Sequence, residues 1–201
     1  MDKTFRSSIL TSIIAAAAIS LVGLTLYTAF FGVFTDSIQR SAHLLLVVIL
    51  VYAVGLQSSF DLSNGPTAGL KVILSRLWIF LILAAATISI GHQLVNFNAI
   101  NDRYGAITPY EIIFGTMLVI ILFDACRRTI GWPIVILAGI FIFYGLFVAH
   151  LPDPIAHRGY SLKRVASQVY LGGGGIFGTP LGVSATFVTG VVVLCACLVY
   201  S

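Results

Sequence analysis

A stretch without any charged residue runs from Ser7 to Thr35, close to the N-terminus. A helix that crosses the hydrocarbon core of a bilayer needs about 20 mostly apolar residues, so this stretch is long enough to span. A cleavable signal peptide has an apolar core of only about 7–15 residues. We therefore predict that the stretch is a retained first transmembrane helix, at about Ile9–Phe34.

The composition extends this prediction to the whole chain. Of 201 residues, 59% are hydrophobic and 9% are charged, with a mean hydropathy of +1.04, whereas soluble domains carry about 25% charged residues. So few charges indicate lipid as the solvent. The net charge of +4 is explained by basic residues that flank membrane spans, and it requires no nucleic acid. The three cysteines form no C-x-x-C pair, which disfavours a disulfide framework or a zinc site.

The predicted fold is an all-α membrane protein with about six transmembrane helices. The number falls to five if the second does not cross, because its apolar part, Leu44–Leu56, is short for a span. A short amphipathic segment at 161–171, SLKRVASQVYL, is expected to lie on the lipid surface. The predicted spans are Ile9–Phe34, Ser41–Leu56, Val72–Val95, Tyr110–Ala125, Trp132–Ala149 and Pro180–Tyr200.

Basic residues indicate the orientation, since cytoplasmic loops retain an excess of Lys and Arg. Six spans with a cytoplasmic N-terminus place Arg127 and Arg128 inside. Asp124 precedes them by three and four residues, a spacing that puts all three on one helical face. We interpret this trio as a cytoplasmic anchor. We expect a multi-pass protein of a bacterial or archaeal cytoplasmic (inner) membrane.

The chain carries no pattern that indicates catalysis. It has no Ser-His-Asp grouping, no H-E-x-x-H and no pair of carboxylates within one span, so we predict that it is not an enzyme. His150, Asp153 and His157 are of metal-ligating types, but two prolines between them interrupt any helix that would align them. We read them as solvated loop residues and predict no metal and no cofactor.

The glycine-rich stretch LGGGGIFGTPLGVSAT at 171–186 matches G-x-G-x-x-G through Gly173, Gly175 and Gly178. A dinucleotide loop follows a strand, opens a helix and is followed by an acidic residue about 20 positions later. Here a membrane span follows, and no acidic residue occurs after Asp153. A nucleotide-binding loop is therefore disfavoured.

A close-packed turn and helix entrance explain the same stretch. Thr179 is a suitable N-cap and Pro180 a suitable first helical residue. Gly182 and Thr186 are four residues apart, the spacing that lets another helix approach closely in lipid. The predicted helix-packing or docking residues are Gly174, Gly175, Gly178, Thr179, Pro180, Gly182 and Thr186.

Residues 127–186 resemble the fused membrane permeases of TRAP transporters, TAXI type. The resemblance rests on RR at 127–128 followed by GW at 131–132, YG at 144–145, LP at 151–152, and GIFG at 175–178 ahead of SAT at 184–186. Residues 1–126 are similar to the family in hydropathy and span spacing. The resemblance implies a four-helix, small-subunit-like region at 1–126 and two further membrane helices at 127–201, in one membrane unit.

The resemblance also implies a sodium-driven secondary transporter that imports organic acids. A periplasmic substrate-binding protein would deliver the substrate, and a large membrane transport domain or subunit would bind sodium and substrate. This chain contains no counterpart of that domain's ion and substrate motifs. Its expected role is therefore that of a scaffold for the transport domain. The alternative is a free-standing small carrier or channel.

Overall fold

The computed structural model describes residues 3–32, 34–61, 68–103, 107–147, 160–171 and 174–200. All regular structure in these ranges is helical. The helices are α1 (Lys3–Phe31), α2 (Asp36–Asp61), α3 (Ala68–Val95), α4 (Phe97–Asp102), α5 (Pro109–Thr129), α6 (Trp132–Phe147), α7 (Leu162–Tyr170), α8 (Thr179–Val183) and α9 (Thr189–Tyr200). A π-helical turn, Ser184–Val188, joins α8 to α9.

The predicted all-α membrane fold is confirmed. Within the described ranges, five helical stretches are long and apolar enough to cross a membrane. They lie in α1, α2, α3 and α5, and in the last helix, which runs continuously from α8 through the π turn to α9. The short amphipathic helix predicted at 161–171 is α7.

The prediction gave five spans only if the second did not cross, whereas α2 is one of the five candidate spans in the structure. α2 extends from Asp36 to Asp61, because its first turns recruit the polar residues before the apolar run. Asp36 and Arg40 pair across one turn there. Among the described residues, the apolar helix below the length of a span is α6, Trp132–Phe147. The last two residues of the predicted span Trp132–Ala149 lie outside the described residues.

One compact unit comprises residues 1–94 and 181–201. In it α1 packs on α2, and the π turn packs on both helices. The contact residues are small or slender, as close helix packing in lipid requires. Ala17 and Thr25 of α1, Ala53 of α2 and Ala185 of the π turn are buried.

The other compact unit comprises residues 95–180. α5 and α6 form a helical hairpin, and α7 packs on both. Gly131 makes the hairpin tight, since its φ of +104° is in the left-handed region that favours glycine. The N–H groups of Ile130 and Gly131 both donate to the Cys126 carbonyl and so end α5. Pro133 then stands in the first turn of α6, where a missing N–H costs nothing.

These two compact units do not coincide with the two regions suggested at 1–126 and 127–201. The last helix belongs with α1 and α2, and α5 belongs with α6 and α7. The reason is physical: a helix groups with the neighbours that bury its face, whatever their distance along the chain.

Candidate helix-packing site and charged anchor

The glycine-rich segment folds back on the end of α7. The N–H of Ile176 donates to the Val169 carbonyl at 2.7 Å, and the N–H of Gly178 donates to the Gly175 carbonyl at 3.0 Å. These bonds return the chain against the helix that it has just left. Gly178 is buried and Gly175 is half-buried.

Gly175 lies where no other residue fits. A Cβ atom at this position would overlap the backbone carbonyls of Val169 and Gln168. Gly174, by contrast, has room: a Cβ there would meet only the Gln168 Nε2, at 3.6 Å. The requirement for glycine at 175 therefore comes from close backbone approach within the turn.

Tyr170 is the residue around which this unit packs. Its side chain is fully buried, and its ring contacts Phe177 edge-on at 5.8 Å. A Cβ added to Gly115 of α5 would lie 2.9 Å from the Tyr170 Cβ, so α5 and α7 meet at a glycine. Burial raises the pKa of the Tyr170 phenol, and the Glu111 carboxylate raises it further.

The last helix begins at Thr179–Pro180, close to the predicted entrance. Its first turns are locally widened at the π turn, where the Thr189 hydroxyl donates to the Ser184 carbonyl at 2.7 Å. The Thr186 hydroxyl donates to the Gly182 carbonyl at 2.9 Å. π turns inside α-helices occur frequently at functional positions. The hydrophobic periodicity of the sequence does not predict this π turn.

The small residues of the last helix already have neighbours within the chain. A Cβ on Gly182 would lie 2.9 Å from Nε of Arg40 in α2. One on Gly190 would lie 3.8 Å from Cγ2 of Thr25 in α1. Ala185, between these two glycines, is buried. The small-residue face therefore contacts α1 and α2 of the same chain.

Asp124, Arg127 and Arg128 come together as the spacing predicts. Asp124 accepts from Arg128 at 2.7 Å and from Arg127 at 3.1 Å. The Arg127 guanidinium also lies 5.4 Å from the ring centre of Trp132, across the Gly131 turn. The three residues and Trp132 thus form a partly exposed network at one end of the α5–α6 hairpin. His150, Asp153 and His157 lie outside the described residues.

A buried ion pair was missed by sequence reasoning. Glu111, in the first turn of α5, is fully buried and accepts from Arg103 at 2.6 Å. Its other oxygen accepts the N–H of Thr108 at 2.7 Å. The spacing T-P-Y-E at 108–111 is that of a capping box, which would have indicated the start of this helix.

Buried polar side chains on the first turns of α2 were also missed. Gln39, Ser41 and His43 are almost fully buried. Gln39 Nε2, Ser41 Oγ and His43 Nδ1 have no hydrogen-bond partner among the described residues. In a helix long enough to cross a membrane, such groups suggest a function, because an unsatisfied polar group in hydrocarbon is costly.

Within the described ranges, no three His, Cys, Asp or Glu side chains are grouped as a metal site requires. The site consists of helix-packing contacts and of the ion-paired network of Asp124, Arg127 and Arg128. No family model, no curated protein and no solved structure matches the chain.

Proposed function

We propose that the chain is a membrane subunit, or the N-terminal portion, of a sodium-driven TRAP transporter of the TAXI type. It acts as a scaffold for the transport domain that handles organic acids. The motif run at 127–186 supports the assignment. Several of its residues are at turns that the fold needs: Gly131 has a positive φ, and Gly175 has no space for a side chain.

The observation that best supports a scaffold is the exposure of the second half of the last helix. Apart from Val193, every side chain from Val191 to Val199 is exposed. The helix is held by α1 and α2 through its first half, and its second half is apolar on all sides. A helix that is apolar all round is suited to burial among other helices. The proposed occupant of this surface is the large membrane transport domain.

Co-expression with a TAXI-type large membrane subunit tests this proposal. A tagged chain is expected to retain that subunit through purification in a mild detergent. Cys195 and Cys197, both exposed, are expected to form crosslinks to it. Replacing Leu194 and Leu198 by Ser should weaken the association, while replacing Ile136 and Ile140 of α6 should not. A chain that purifies alone in every case would contradict the scaffold.

A free-standing carrier is the second candidate, and the buried polar residues of α2 favour it. A carrier requires polar groups between helices, as Gln39, Ser41 and His43 supply. The test is flux of sodium or of an organic acid in vesicles that contain this chain alone. Flux that disappears in His43→Leu supports the carrier. The absence of flux under the same conditions leaves the scaffold as the better proposal.

A further inference from the structure

A groove lies between α5, α6 and α7, within the unit of residues 95–180. Its volume is about 190 Å³. It exists because small residues stand where the helices meet: Gly115 on α5 and Ala166 on α7. We call it the α7 groove. Its other walls are Thr116, Val119, Ile142, Leu146, Leu162, Val165 and Val169.

The lining excludes a polar ligand. Thr116 carries the one polar side chain among the residues of the walls, and its hydroxyl already donates to the Ile112 carbonyl at 2.7 Å. All other wall residues are aliphatic or glycine. An acyl chain in the α7 groove is therefore held by van der Waals packing against these apolar walls, as apolar groups are held together within a bilayer.

The groove lies close to the first turns of α5. Gly115 is six residues after Pro109, the first residue of α5, and therefore about 9 Å along the helix axis at 1.5 Å per residue. Amphipathic helices at a bilayer surface bury their apolar face about 5–10 Å deep. If α5 crosses the bilayer from its first turn, α7 lies at the depth where lipid headgroups and acyl chains meet.

The exposed side of α7 is basic. Lys163 and Arg164 are both exposed, and they lie between the wall residues Leu162 and Val165. Neither forms an ion pair with a described residue. α7 itself contains no acidic residue. The Ser161 side chain accepts from the Arg164 N–H and thereby caps the helix that carries both cations.

We propose that the α7 groove binds one acyl chain of an anionic glycerophospholipid, whose phosphate pairs with Lys163 and Arg164. The apolar walls select a hydrocarbon chain, and the two cations select a negatively charged headgroup over a zwitterionic one. The proposal does not depend on the transporter assignment, since it rests on the walls and charges of this unit alone.

A tryptophan reporter in vesicles tests the proposal. Trp78 and Trp132 are replaced by Phe, and Leu162→Trp places the reporter at the mouth of the groove. The vesicles are phosphatidylcholine with a minor fraction of brominated phosphatidylglycerol or, for comparison, the same fraction of brominated phosphatidylcholine. Brominated phosphatidylglycerol is expected to quench the reporter several-fold more strongly. A reporter at Ile140, on the exposed face of α6, is expected to be quenched equally by both.

Two further variants separate the charges from the groove. Lys163→Gln with Arg164→Gln should bring the quenching by the two lipids to near equality, since each basic residue near an anionic surface contributes about five-fold to the attraction. Thr116→Phe should fill the groove and reduce quenching by both brominated lipids. Val119→Phe repeats that test, and elution as a single species from a size-exclusion column identifies the folded variants.

Two outcomes would overturn the proposal. Equal quenching by the two lipids at Leu162→Trp would eliminate the charged site. A preference for phosphatidylglycerol that survives both Thr116→Phe and Val119→Phe would reduce the effect to attraction at the surface, without a bound chain. Native mass spectrometry of the purified chain gives an independent readout, in which retained phosphatidylglycerol should disappear in the Lys163→Gln, Arg164→Gln variant.

Discussion

Gly175 marks the point where the glycine-rich segment approaches the backbone of α7 most closely. A side chain there would meet carbonyl groups of Gln168 and Val169, which are held in a helix and cannot rotate away. Gly174, its neighbour in the sequence, has no such obstacle. At the scale of one residue, the glycines of this run therefore have different structural roles, although they are the same amino acid.

Gly175→Ala is expected to lower the free energy of unfolding by about 1–3 kcal/mol, because the added methyl group forces the turn away from α7. Thermal unfolding in detergent, followed by tyrosine fluorescence or circular dichroism, measures the change. Gly174→Ala is the matched control and should remain within about 0.5 kcal/mol of the parent chain. Equal melting temperatures for the two variants would contradict the close approach.

Two ion-paired carboxylates on α5 differ in burial, and this difference predicts different contributions to the free energy of unfolding. Glu111 is fully buried and depends on Arg103, whereas Asp124 has two arginine partners in a partly exposed network. Arg103→Ala should cost about 1–3 kcal/mol of unfolding free energy, because a buried carboxylate loses a partner. Arg127→Ala should cost about 0–1 kcal/mol, as exposed pairs do. Chemical denaturation in detergent compares them, and a larger loss in Arg127→Ala would refute the ranking.

At the scale of the element, α2 differs most from what hydropathy alone indicates. Its apolar run is short, yet the helix begins at Asp36 and continues to Asp61. The extra length comes from polar residues that are buried by neighbouring helices, such as Gln39 and Ser41. A hydropathy window counts such residues against a span, although tertiary packing makes them part of one.

Cysteine labelling tests whether α2 crosses the membrane. In a chain whose three native cysteines are replaced by Ser, Thr35→Cys and Gln57→Cys stand near opposite ends of the candidate span Asp36–Gln57. A membrane-impermeant maleimide is expected to label one of them in intact cells and the other only after permeabilisation. Labelling of both from the same side would show a re-entrant α2.

At the scale of the whole molecule, the orientation rests on the basic network at one end of the α5–α6 hairpin. Ile130 stands at that end, and the Tyr160 N–H donates to the Gly145 carbonyl near the C-terminal end of α6. Both side chains are exposed. If Arg127 and Arg128 are cytoplasmic, Ile130→Cys should react only after permeabilisation, and Tyr160→Cys should react in intact cells. The reverse pattern would invert the proposed topology.

The sequence predicts those parts of the candidate site whose geometry depends only on residues close together in the chain. The i, i+3 and i, i+4 spacing of Asp124 with Arg127 and Arg128 brings the three side chains together in any helix. Thr179–Pro180 starts a helix for equally local reasons. The roles of Gly115 and Gly182 depend instead on side chains far along the chain, Tyr170 and Arg40, that tertiary contacts bring to them.

The sequence by itself determined that this chain is an all-α membrane protein, because helix length and lack of charge are properties of single segments. It also determined the amphipathic α7, because the helical spacing of apolar and polar residues is evident within the segment 161–171 alone. Only the tertiary structure decided that α2 is long, that the last helix groups with α1 and α2, and that α5, α6 and α7 enclose a groove. Those features depend on which faces bury each other, and in a chain that is apolar nearly everywhere hydropathy does not distinguish one face from another.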